Sequence, residues 1–548
     1  MKHLLASLLL FCGLAAAAQT HADSIGSLRG FARWLDLDFT DAEADSLMES
    51  LADYRGTYAA MHRTSPPNSL PYPFAFVPGP HGTIIPTAQK KIDWALPDTY
   101  LPGNRAELAF YSIPQLASLL KNKRITSEEL TRFFIGRLKK WGDTLQSVIT
   151  LTEELALREA RAADTEIRAG KWRGPLHGVP YGLKDLFAVK GYKTTWGTAP
   201  YKDQVIGEDS YVYLRLKEAG AVLCAKLSLG ALAYDNKWFG GATKNPWNLE
   251  QGSSGSSAGS AASVVAGLLP FTVGTETLGS IVSPSARCGA TGLRPSFGTV
   301  SRNGAMVLCW SLDKIGPICR SAEDDAIVYY YTKGTDGRDP GSVDPAFNWD
   351  PKAGVKGLRV AYAENYFRRL KPDAPEWKVL QTYRSLGVEP VPVTFPDSGV
   401  YRFDMVGLIL AAESAAAFDE LTRSNRDDGI ERQDKDFWPN IWRAARYIPA
   451  VEYINANRWR YELTEKVQAF MKNWDVVITP SFGGRQLSIT NLTGNPAVCM
   501  PIGFTREGAP QSITLLGNLY DEARILQAAK AYQDKTGFNR QHPARFRD

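Results

Sequence analysis

Between residues 252 and 260 the chain reads Gly-Ser-Ser-Gly-Ser-Ser-Ala-Gly-Ser, and what comes next is not the continuation of a tether. A flexible Gly/Ser linker packs against nothing and needs no apolar sequel. Here the run from Ala261 to Leu269 is apolar and helix-competent, and Phe271 to Val273 is strand-like. The serine-rich stretch therefore reads as part of a folded body.

The surrounding pattern is α/β. Leu116, Leu119 and Leu120 share one helix, and Thr126-Ser127-Glu128-Glu129 opens another with the signature of a capping box. A long helix is predicted from about 151 to 169, then strand and turn around Gly178 to Asp185. Residues 221–226 suit a buried strand, as do Leu358 to Tyr362 and Val476 to Thr479, with an aromatic, helix-rich subregion over about 350–470. Helices alternating with short apolar strands argue for an α/β architecture. Upstream, Thr40-Asp41-Ala42-Glu43 caps a helix, and a proline-rich passage from Pro66 to Pro80 follows that no helix can continue through. Residues 23–105 are thus expected to form a helical N-terminal extension and linker, and 106–540 the main domain.

Met1 to Ala22 has the form of a secretory signal peptide: Lys2 and His3, an apolar stretch from Leu4 to Ala18, then small residues that permit cleavage after Ala18 or Ala22. That stretch falls short of the roughly 20 residues needed to span a bilayer. A periplasmic or secreted protein is expected. With Lys+Arg 63 against Asp+Glu 58 and no long run of like charge, neither nucleic acid nor an anionic membrane is an expected partner. Beyond residue 22 the five cysteines, Cys224, Cys288, Cys309, Cys319 and Cys499, show no zinc-ligand spacing. One disulfide among them is possible, and the sequence does not select it.

Three chemistries compete for the serine-rich stretch. A phosphate-binding loop would require a lysine after the glycines, and none is present. A hydrolase elbow is matched by Gly255-Ser256-Ser257-Ala258-Gly259, with Ser257 as nucleophile and His542 as its only downstream histidine. That elbow must follow a buried strand, whereas Lys244 to Ser254 is polar and broken by proline. The third is a serine served by lysine. Lys184 lies in an apolar, strand-like setting beside Leu183, Leu186 and Phe187, where burial disfavours the ammonium and makes the amine a base.

Gly178-Val179-Pro180-Tyr181-Gly182-Leu183-Lys184-Asp185 resembles the lysine motif of the amidase signature family, and Gly252 to Arg302 resembles its Gly/Ser-rich signature. The 24 residues from Ser256 to Ser280 match that family's serine spacing. Cys288 to Pro295, Asp313 to Pro317, Asn491 to Ala497 and Glu522 to Leu526 extend the resemblance, which runs from about Tyr111 to Gln533. It implies one large mixed β-sheet flanked by helices. It also implies Ser280 as nucleophile, Ser256 as a bridging serine at a cis peptide, and Lys184 as the base. The backbone N–H groups of Thr277, Leu278, Gly279 and Ser280 would form the oxyanion hole, with Ser257 structural. No metal or organic cofactor is implied, and the partner expected is a small-molecule amide, acted on by a monomer or homodimer.

Three positions depart from the family pattern. Glu276 replaces an aspartate, Leu278 a glycine, and Val282 an arginine. A longer acid and a missing cation imply a rearranged charge network behind Ser280. The reading is an exported amidase acting on a non-peptide linear amide. Its alternatives are an amidotransferase A-type subunit, which the signal segment opposes, a degenerate amide-binding member, and an ester hydrolase using Ser257 and His542.

Overall fold

The computed structural model of the protein describes residues 23–35, 37–61, 63, 67–70, 74–80, 82–397 and 405–548. The expected signal segment, residues 1–22, lies outside them. The chain divides into two compact units, Met1–Pro67 and Asn68–Asp548.

In the first unit a helix over 23–34 precedes the helix Asp41–Met61. Thr40 N–H donates to Glu43 Oε2 at 2.8 Å and Glu43 N–H returns a bond to Thr40 Oγ1 at 3.3 Å, so two otherwise orphaned donors are satisfied. The units part at Pro67. The reason lies in contacts made after the proline-rich passage. Gln89 exchanges two 2.8 Å hydrogen bonds with Phe347, and Trp94 packs edge-on against Tyr330, so this segment belongs to the second unit.

The second unit is built on an eleven-stranded sheet. We number its strands β1 (Val148–Leu151), β2 (Pro180–Lys184), β3 (Val222–Leu227), β4 (Phe271–Glu276), β5 (Thr291–Arg294), β6 (Lys314–Cys319), β7 (Val360–Ala363), β8 (Val391–Val393), β9 (Val476–Pro480), β10 (Ala497–Phe504) and β11 (Pro510–Leu516). Their order is β1-β3-β2-β4-β6-β5-β10-β11-β9-β7-β8. β2 runs parallel to β3 and β4, and β7 parallel to β8 and β9, while the other pairs are antiparallel. The sheet is mixed, as the resemblance implied. β2, β3, β4 and β6 are buried along their whole length.

Helices pack against these strands. The capping box at Thr126 forms as the sequence indicates, with Thr126 N–H to Glu129 Oε2 at 2.9 Å and Glu129 N–H to Thr126 Oγ1 at 3.1 Å, and it starts the helix Ser127–Leu145. The helix predicted from about 151 to 169 is Glu153–Arg168. The segment preceding the serines is a short antiparallel ribbon, Lys244–Asn245 against Asn248–Gly252, with most of its second strand exposed. It is not the buried strand that a hydrolase elbow demands. Among the described residues no helix is long and apolar enough to cross a membrane. Cys224, Cys288, Cys309, Cys319 and Cys499 are all buried free thiols.

Candidate active site

Strand β2, third from one edge of the sheet, ends at Lys184, which is fully buried. Alternation along the strand sends Leu183 and Lys184 to opposite faces. The Lys184 Nζ reaches Ser256 Oγ at 2.8 Å, Thr275 Oγ1 at 2.8 Å, Ser257 Oγ at 3.2 Å and the Thr275 carbonyl at 3.4 Å. Every one of these acceptors is uncharged. Burial therefore pushes the amine down to about 7, against the weaker and opposite pull of Asp313 and Glu276.

Ser256 enters this cluster through the Gly255–Ser256 peptide, which is cis. A side chain at 255 would place its Cβ 1.8 Å from the Asp235 carbonyl oxygen, so only glycine fits there. Gly230 N–H donates to the Ser256 carbonyl at 3.3 Å and completes the backing of this turn. The helix Ala258–Val265 follows directly. The Ser257 hydroxyl lies between the Thr275 carbonyl at 3.1 Å and the Thr275 N–H at 3.2 Å, stitching the serine-rich turn to β4.

Strand β4 delivers the other serine. After Glu276 the chain turns through Thr277, Leu278, Gly279 and Ser280 into the helix Val282–Cys288. Gly279 takes φ +95°, so the glycine, and not Leu278, absorbs the left-handed conformation of the turn. Leu278 instead packs, half-buried, against an apolar cluster. Ser280 is 8% exposed, and its carbonyl accepts from Ser257 N–H at 3.2 Å, which joins the two serine segments through the backbone. Among the described residues no hydrogen bond links the Ser256 and Ser280 hydroxyls, and no group of the chain accepts from the N–H of Leu278, Gly279 or Ser280.

The turn is braced from behind. Glu276 Oε2 accepts from the N–H groups of Ile281 and Val282, both at 2.9 Å. Glu276 Oε1 accepts from Arg294 Nη1 and Asn491 Nδ2, also at 2.9 Å. Burial alone would raise this carboxyl, but Arg294, the Val282 N–H and Asn491 hold it at about 2. Glu276 thus has its buried counter-ion in Arg294 on β5. On the other flank the Thr277 hydroxyl donates to Asp313 Oδ1 at 2.6 Å.

All the residues singled out in the sequence lie at this one place except His542. That ring stacks on Phe110 at 3.8 Å, and burial pushes it down to about 3. No hydrogen bond connects it to Ser257, so the elbow reading has no base. Near the serine turn Tyr234 packs against Phe437 and Trp438, and Trp238 against Phe239. Thr275 joins the site without being identified from sequence, and Asn491, which the sequence gives only as part of a family motif, joins it through Glu276. Thr275 had a signal, since it alternates with Glu276 on a strand already placed beside the serines, whereas Asn491 is 215 residues from the carboxylate it touches. Among the described residues no cluster of His, Cys, Asp and Glu is arranged to hold a metal ion.

Comparison with known proteins bears on the family and the fold. A family profile described as Amidase matches residues 129–489. The chain is 31% identical to the A-type subunit of glutamyl-tRNA(Gln) amidotransferase from Coxiella burnetii, over 79% of its own length and 99% of the relative. It is 32% identical to the corresponding protein of Acinetobacter baumannii, covering 79% of this chain and 97% of that one. Among solved structures, native peptide amidase from Stenotrophomonas maltophilia superposes with a TM-score of 0.70 at 27% identity, covering 79% of this chain and 98% of that chain. The matched span takes in the lysine on β2, both serine turns and most of the mixed sheet, and the chain belongs to the amidase signature family.

Proposed function

We propose that this protein hydrolyses a carbon–nitrogen amide bond through an acyl-enzyme on Ser280. The single observation that carries the reading is the 2.8 Å contact between Ser256 Oγ and a buried Lys184 amine with no carboxylate beside it. A lysine in that setting is neutral for much of the population near neutral pH and can accept a hydroxyl proton. Ser256 passes the proton from Ser280 to Lys184 as Ser280 Oγ attacks the amide carbonyl. The unpartnered N–H groups of Leu278, Gly279 and Ser280, with that of Thr277, receive the negative oxygen. Each donor of this kind is worth about 3 kcal/mol of barrier in a dry site. The Lys184 ammonium then returns its proton by way of Ser256 to the departing nitrogen, and water hydrolyses the ester at Ser280. The relay needs the Ser280 hydroxyl to close on Ser256 when substrate binds, and such contacts commonly tighten only in the complex.

A linear, non-peptide amide of a small molecule is the substrate class we favour, and the sequence of residues 1–22 supports work outside the cytoplasm. The glutamyl-tRNA(Gln) amidotransferase relatives favour a second reading, in which the same site releases ammonia from an amide for a partner protein. One experiment separates them. The tagged protein is recovered from the cell envelope and from cytosol, its mature N-terminus is sequenced, and aryl, fatty-acyl, amino-acid and cyclic amides are assayed. Turnover by an envelope-located protein processed near Ala22 supports the hydrolase. Co-purifying partners, with amide cleavage dependent on them, support the amidotransferase.

A further inference from the structure

Arg460 lies on the helix Ala450–Met471, outside the motifs that carry the family resemblance, and is 1% exposed. Among the described residues no carboxylate pairs with it directly. Its Nη1 donates to Ser311 Oγ at 2.8 Å, its Nη2 to the Ser311 carbonyl at 2.7 Å, and its Nε to the Leu492 carbonyl at 2.6 Å. The ring of Phe76 covers the guanidinium at 3.4 Å. The charge is balanced at one remove: Glu413 accepts from Ser311 Oγ at 2.6 Å, from Ser311 N–H at 2.9 Å and from the Tyr453 hydroxyl at 2.9 Å.

Each acceptor of Arg460 is the root of a strut. Two residues beyond Ser311, Asp313 holds the Leu308 and Cys309 N–H groups at 2.8 and 2.9 Å and takes the Thr277 hydroxyl at 2.6 Å. Beside Leu492 on the helix Gln486–Thr493, Asn491 donates to Glu276 and Thr490 accepts from Arg294. Glu276 in turn grips Ile281 and Val282. The struts therefore end on the two sides of Leu278-Gly279-Ser280.

We propose that Arg460 is a positioning residue for this turn. By fixing Ser311 and Leu492 on one rigid fork it sets the span between the Thr277 and Ile281 anchors, and so aims the intervening N–H groups at the oxyanion. The inference rests on Ser280 being the nucleophile. A lysine at 460 would keep the charge but, as a point donor, could not hold both roots in register.

The test measures kcat, KM, the pH profile and the thermal midpoint for wild type, Arg460→Lys, Thr277→Val and the double variant, on one cleaved amide, with Ser280→Ala as blank. Thr277→Val deletes the strut's hydroxyl and keeps the backbone N–H. Arg460→Lys should lower kcat about 30-fold and Thr277→Val about 10-fold, with KM within about 3-fold and the pH midpoint of wild type. The double variant should lose about 50-fold rather than the product of the two, because both loosen one strut. A kcat for Arg460→Lys within about 2-fold of wild type, with only a lower thermal midpoint, overturns the proposal; so does strict multiplication in the double variant. Should Arg460→Lys not fold, Ser311→Ala must show the same kcat-only loss, and an unchanged kcat there overturns it equally. Wild-type turnover that disappears in Ser280→Ala upholds the assignment of the nucleophile whatever Arg460 does, whereas turnover that survives Ser280→Ala removes both.

Discussion

Lys226 Nζ stands 2.7 Å from a carboxylate oxygen of Asp185, the residue that directly follows Lys184, and both partners are fully buried. Strand alternation sends Asp185 to the face that Lys226 occupies on β3, and sends Lys184 to the other. Asp185 is further held by the Thr195 N–H at 2.8 Å and the Thr195 hydroxyl at 2.5 Å. Two buried lysines on adjoining strands are thus given opposite treatment. Lys226 has a counter-ion and serves structure, whereas Lys184 has only hydroxyl and carbonyl oxygens and is left available as a base.

The first consequence is a pH profile. Desolvation depresses Lys184 to about 7, so kcat/KM should rise from the acid side with a midpoint near that value and level off above it. Lys184→Met should cut kcat/KM by about 10³-fold and abolish that limb. A profile with no inflection between about pH 6 and 8 would count against the amine as base.

The partnered lysine gives the control. Lys226→Met strands the Asp185 carboxylate in the interior, and breaking a buried pair in this way costs about 3–5 kcal/mol. Urea unfolding should show that loss. The surviving folded fraction should keep the wild-type pH midpoint, because Lys226 faces away from Ser256.

Glu276 predicts a different pH dependence, in stability. Arg294, the Val282 N–H and Asn491 overcome its burial and lower it from 4.5 to about 2. A carboxyl depressed in the fold adds stability that is complete above its unfolded value and is lost as pH falls from 4.5 toward 2. Unfolding midpoints followed over that range should fall less steeply for Glu276→Gln than for wild type, although the variant starts from a lower value at neutral pH.

Serine labelling should fall on one residue. A fluorophosphonate probe should modify wild type and fail on Ser280→Ala. His542→Ala should be labelled at the wild-type rate, its only cost being the lost stacking on Phe110, read as a lower thermal midpoint. Labelling that persists in Ser280→Ala but vanishes in Ser257→Ala would restore the elbow reading.

Much of the site is legible in the sequence, because it is written in local patterns. A lysine inside an apolar strand, a serine run that leads into a core helix, and a strand ending in a second serine turn are each contained in short windows. A proline-rich composition marks where helices stop, and which residues the segment packs on is not contained in it. Gln89 and Trp94 decide that through Phe347 and Tyr330, residues far away along the chain.

What the sequence determined alone is the α/β class, the family resemblance and the candidate residues Lys184, Ser256 and Ser280. Residue type in a local setting raises the lysine and the serines, and the resemblance to the amidase signature family assigns their roles. Tertiary structure decided which of Lys184 and Lys226 has a counter-ion, where the cation for Glu276 comes from, and how Ser280 is braced. Those outcomes depend on distances between β2, β3, β4 and β5 and the helices at 450–471 and 486–493. A side chain's charge state and reach are set by what lies within a few ångströms of it in space, and linear order fixes only its neighbours along the chain.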